Sequence, residues 1–100
     1  MSSRPLPSPA DIREQPRRKV FLPAQMTGAH GQARVHLLNL SPAGALLHGD
    51  APKAGTMVQL VCARQSWTAR VIWTQQQRFG VVHVPPLGPG MMRSLVGDAP

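Results

Sequence analysis

Tyrosine is absent from this 100-residue chain, and phenylalanine and tryptophan contribute two residues each. So few aromatics leave no room for the interleaved aromatic and basic pattern on which single-strand nucleic-acid modules stack bases. Cysteine occurs once, at Cys62, which excludes an intrachain disulfide and any CxxC pair. Acids are scarce: Asp11, Glu14, Asp50 and Asp98 are the whole set, and no two are placed for general acid–base work. His30, His36, His48 and His83 show neither HxH nor HxxxH spacing, and no base or oxyanion motif surrounds Ser41. The expectation is a chain that is not an enzyme and uses neither metal nor cofactor. No apolar run has transmembrane length, and the first residues lack the apolar core of a signal peptide, so a cytoplasmic protein without membrane contact is expected.

What the chain does have is arginine and proline. Eleven Lys+Arg, nine of them Arg, give a formal charge of +7. Such a balance attracts anions and says nothing about fold. Residues 1–16 carry Pro5, Pro7, Pro9 and Pro16, a density that prevents both helix and central strand. This segment reads as a flexible arm, residues 17–88 as one small domain and residues 89–100 as a tail. In the tail, MMRSLVG has the length for about two helical turns packed on the domain, or for a frayed end.

From Lys19 onward, short apolar runs alternate with turn signals. Val35 and Leu37 alternate with Arg34 and His36, and Val58 and Leu60 flank Gln59. Trp67, Ala69, Val71 and Trp73 fall on one face of a period-two run, with Thr68, Arg70 and Ile72 on the other. Six such runs, near 20–26, 33–40, 44–48, 56–63, 67–74 and 79–84, predict antiparallel strands. In so short a chain they favour an all-β architecture closed into a barrel, which removes exposed edges. The four aromatics, Phe21, Trp67, Trp73 and Phe79, are expected to pack in the core or at a barrel end. Arg34, Arg64, Arg70 and Arg78 are expected to keep the outer face soluble.

Two segments carry the functional reading. REQPRRK places Arg13 and Arg17 four positions apart, with Arg18 next to them; NLSPAG places Asn39, Ser41 and Gly44 at a turn between strands. Together, in this order ahead of a strand ladder, they resemble the RxxxR and [D/N]xSxxG motifs of the PilZ domain family. The segments APKAGTMVQL and ARVIWTQQQRFGVVHV extend the resemblance over residues 13–84. It implies a six-stranded antiparallel barrel of the split-barrel type that binds cyclic di-GMP, a bacterial second messenger, and relays the signal to a downstream protein. By that resemblance the ligand-binding residues are Arg13, Arg17, Arg18, Asn39, Ser41 and Gly44.

The chemistry of the residues agrees. A guanidinium forks onto guanine O6 and N7 or onto a phosphate. An amide and a hydroxyl two positions apart on an extended segment point to one side and can meet a guanine edge. Gly44 suits a turn that needs positive φ or close approach of the backbone to a ligand. Three positions depart from the family's pattern. Asn39 stands where many members have Asp, and His83 stands where Phe often ends the last strand. Ile12 stands where an additional Arg accompanies a stacked ligand dimer, which implies one ligand per chain. Two other readings stay open: a single-stranded nucleic-acid-binding barrel driven by charge, and a PilZ-like adaptor that works through protein contacts alone.

Overall fold

A computed structural model describes residues 18–29 and 31–97. The expected arm, with Arg13 and Arg17, lies outside the described residues. The described chain forms six strands and one helix: β1 (Arg18–Gly28), β2 (Gly31–Leu40), β3 (Gly44–His48), β4 (Met57–Cys62), β5 (Gln65–Gln75), β6 (Arg78–His83) and α1 (Pro89–Val96). They close into a barrel in the order β1-β2-β3-β6-β5-β4, every neighbouring pair antiparallel. The chain therefore runs as two three-stranded meanders, β1-β2-β3 and β4-β5-β6, that pair β3 with β6. Closure of β1 on β4 is short, covering only Gln25–Thr27.

Period-two alternation builds the interior. Val35 and Leu37 on β2, Leu47 on β3, Leu60 on β4, Val71 on β5 and Phe79 on β6 all have 0% of their surface exposed. Each such side chain contributes about 1.5–3 kcal/mol on burial. The tail is helical: Pro89 occupies the first turn, where its missing N–H costs no hydrogen bond, and Leu95 is buried against the barrel with Met91, Met92 and Val96 packed beside it. No helix among the described residues is long and apolar enough to cross a membrane.

Strict alternation fails at three places. Register shifts interrupt β1 between Lys19 and Leu22, β2 between Leu37 and Asn39, and β5 between Val71 and Trp73. Each is a bulge, where one extra residue reverses which side the following residues face. On β2, Leu37 faces in, Leu38 is the extra residue, and the next inward side chain is Leu40 rather than residue 39. On β5, Val71 faces in opposite Val81, Ile72 is extra, and Trp73 lies opposite Gly80 on the outside. The expectation that Trp73 shares a face with Trp67, Ala69 and Val71 is thus corrected by the bulge at Ile72. Phe21 is corrected too: beside the β1 bulge it is 70% exposed, and its ring stacks on His36 with centroids 4.7 Å apart. Trp67 and Phe79 are core residues, as expected.

Candidate functional site

The turn after β2 is built by Ser41. Its backbone N–H donates to the Gly44 carbonyl at 2.9 Å, and its hydroxyl accepts from the N–H groups of Ala43 (3.3 Å) and Gly44 (3.1 Å). The same hydroxyl donates to the Gly44 carbonyl at 3.2 Å. A serine side chain that satisfies nearby backbone groups in this way substitutes for a regular ladder and fixes the turn. Ser41 is 0% exposed, so its hydroxyl is committed to the turn rather than presented at the surface. Asn39 belongs to the outer face of β2, so the two side chains do not share one side as their spacing suggests.

Gly44 has its own reason. It is not in the positive-φ region; instead, a Cβ there would collide with the carbonyl oxygen of Val81 on β6. The glycine lets β3 lie against β6. The turn is then latched from the end of β6 by His83 N–H donating to the Ala43 carbonyl (2.9 Å) and from the loop after it by Leu87 N–H donating to that of Pro42 (2.8 Å).

Beneath this turn lies a buried polar pair. Trp67 Nε1–H donates to His83 Nδ1 at 3.0 Å, with the rings edge to face. Because Nδ1 accepts, the neutral imidazole carries its proton on Nε2. Burial lowers the His83 pKa from the ordinary 6.5 to about 4, opposed in part by the backbone of Gly44 and Ser41; neither gives Nε2 a well-formed hydrogen bond. A depressed histidine pKa means the unfolded chain binds more protons. Stability from neutral His83 is complete above about pH 6.5 and is lost as pH falls from there to about 4, by roughly 3 kcal/mol in total. Urea denaturation at pH 7 and pH 4.5 measures this. In His83→Phe that pH-dependent loss is expected to shrink, and an unchanged slope would reassign it to other groups.

Outside the barrel, residues that lie opposite one another across the strands form a continuous row. Lys19 opposes Asn39, Asn39 opposes Leu46, Leu46 opposes Gly80, and Gly80 opposes Trp73. A Cβ at Gly80 would strike the pyrrole part of the Trp73 indole, so the ring lies across the glycine as on a shelf. Two polar atoms of this row are buried without a hydrogen-bond partner among the described residues: Asn39 Oδ1, an acceptor, and Trp73 Nε1, a donor. Arg18, exposed at the start of β1, sits opposite Leu40, next to the Ser41 turn.

The fold therefore brings Arg18, Asn39, Ser41 and Gly44 to one end of β1–β3, while Arg13 and Arg17 lie outside the described residues. Trp73 and Gly80 were not identified as site residues from the sequence. The available signal is a glycine inside a β-strand opposite a tryptophan, a combination that marks close approach to the backbone. No cluster of three or more metal-ligating side chains exists among the described residues. The thiol of Cys62 is buried, and its pKa is raised by desolvation.

A family model described as "PilZ domain" matches residues 11–96. Among solved structures, the chain resembles the Bacillus subtilis inhibitor of motility, MotI/DgrA. The TM-score is 0.62 at 15% sequence identity, covering 84% of this chain and 47% of that one. This chain thus spans about half the length of that protein, and the likeness concerns the fold. No match is found among curated proteins.

Proposed function

The chain belongs to the PilZ domain family, and on that premise we propose that it is a cytoplasmic receptor for cyclic di-GMP that passes the signal to a downstream protein. The ligand rests on the outward row from Asn39 to Trp73, and Arg13, Arg17 and Arg18 close on it. The observation that carries this reading is the pair of unpartnered polar atoms on that row, Asn39 Oδ1 and Trp73 Nε1. A buried polar atom without a partner costs about 1–3 kcal/mol, and such defects in folded proteins gather where something else is to be bound. Once the amide and the indole turn outward, guanine supplies both missing partners: N1–H and N2–H donate to a carboxamide oxygen, and N7, O6 or a phosphate oxygen accepts from an indole N–H. The half-buried indole also offers a surface on which a purine can stack. Ser41 and Gly44 act as positioning residues, holding the turn that sets Asn39 in place.

Isothermal titration of the chain with cyclic di-GMP tests the reading. Saturable binding that excess single-stranded RNA does not compete away is the expected result; absence of heat and of any competing ligand effect would leave only the adaptor reading. Trp73→Ala is expected to weaken binding roughly tenfold, the size of a lost base–aromatic stack. Asn39→Asp has two expected consequences of opposite sign. Its carboxylate accepts two guanine N–H bonds, so affinity is equal or higher. The same charge lies partly desolvated in the free protein, so the ligand-free form melts earlier. A tenfold loss of affinity in Asn39→Asp would contradict contact between this side chain and a guanine edge.

A further inference from the structure

The shelf has a charge at each end. On β6, Arg78 precedes Gly80 by two residues and faces the same outer side, opposite His48 of β3. Beyond the other end, Val82 follows Gly80 by two residues and lies opposite Arg70 of β5, which also faces out. Arg70 and Arg78 thus bracket the Trp73–Gly80 shelf, four residues apart as measured along β6, or about 13 Å. Both are exposed, and neither guanidinium makes an ion pair or hydrogen bond with a described residue. Asp50 is the only carboxylate side chain among the described residues, and it makes no ion pair with either arginine. Arg34 and Arg64 are exposed as well, but Arg34 lies on β2 opposite Gln25 of β1 and Arg64 in the turn between β4 and β5, and neither flanks the shelf.

We infer that Arg70 and Arg78 are a second pair of ligand-binding cations, one at each end of the shelf, each receiving one phosphodiester of a cyclic dinucleotide seated on Trp73. This rests on the reading of the row as the ligand site. A long arginine side chain can lie along the apolar floor of Leu46, Gly80 and Val82 while its head reaches the anion. Forked N–H groups suit a phosphate better than the point charge of lysine does. Two cations on opposite sides of a stacking platform select for a ligand with two separated negative charges around its bases, a requirement that a mononucleotide meets only once. The barrel itself, and not only the leader before β1, then carries part of the electrostatic attraction.

The test is calorimetric titration of the full chain with cyclic di-GMP at low and at high salt, comparing wild type with Arg70→Gln, Arg78→Gln, both together, and Arg64→Gln. Each single change is expected to weaken binding about fivefold and the pair about twenty-fivefold or more, since charge-assisted contacts are being lost. The double variant should also lose part of the salt dependence, because fewer charge pairs remain to be screened. Arg64→Gln removes the same charge far from the shelf and should stay within about twofold of wild type. A double variant that binds within twofold of wild type overturns the inference while leaving the ligand reading intact. So does one that weakens with its salt dependence unchanged, since that loss would come through structure. Absence of binding by wild type overturns both.

Discussion

Gly44→Ala is expected to remove about 3 kcal/mol or more of folding stability, an effect at the upper end for adding one methyl group. The added Cβ would meet the Val81 carbonyl oxygen, which is backbone in the middle of β6 and cannot rotate away. Either β3 separates from β6 or the turn after Leu40 deforms, and both are held by the same few bonds. Ser41 N–H to Gly44 carbonyl and His83 N–H to Ala43 carbonyl are the closures at risk. Gly88→Ala is the control, because a Cβ there meets nothing within 4 Å and its φ of −79° suits any residue. Urea denaturation of the two variants decides the matter. Equal midpoints would mean that β3 and β6 have slack that their geometry does not display.

Arg17→Ala is expected to weaken cyclic di-GMP binding roughly ten- to a hundredfold, or about 1.5–3 kcal/mol, with little change in the stability of the free protein. Arg13→Ala should behave alike. The size follows from removing one forked, charge-assisted contact to a phosphate or a guanine edge. The lack of effect on stability follows from residue type, since an arginine in a proline-rich polar segment is a poor core former. Titration of both variants beside thermal melts separates the two quantities. Wild-type affinity in Arg17→Ala would detach the RxxxR motif from binding and leave the outer shelf as the whole site.

Strand number and approximate bounds were legible because β-branched and aliphatic residues alternate with polar ones, and the interior selects every second residue; which strands neighbour one another in the barrel was not. The short helix from Pro89 to Val96 was legible as one of two options, and burial of Leu95 decides between them. The bulges were not legible. Nothing in the identity of Leu38 or Ile72 announces that either is an extra residue, because a bulge is a property of the pair of strands and not of one segment. That blindness explains the errors at Trp73 and at Phe21; Ser41 leaves the face of Asn39 because β2 ends at Leu40 and the chain turns there. The role of Ser41 was hidden for a different reason. Its hydroxyl can serve a ligand or its own turn equally well, and only the three-dimensional closure onto Gly44 distinguishes them. His83, noted from the sequence only as a departure at the end of β6, turns out to be the acceptor that satisfies Trp67.

The two side chains with unmet hydrogen-bonding capacity, Asn39 and Trp73, each come directly after a bulge. Their place on the outer face of the barrel therefore depends on a single supernumerary residue upstream, Leu38 in one strand and Ile72 in the other. Deleting either residue would remove the bulge and leave the amide or the indole outside, whereas keeping it in unbroken alternation would turn the amide or the indole to the hydrocarbon interior. The make-up of this outer row is thus set by a count of residues as much as by their chemistry. An alignment that slips by one letter across either strand would misassign which side of the barrel each following residue faces.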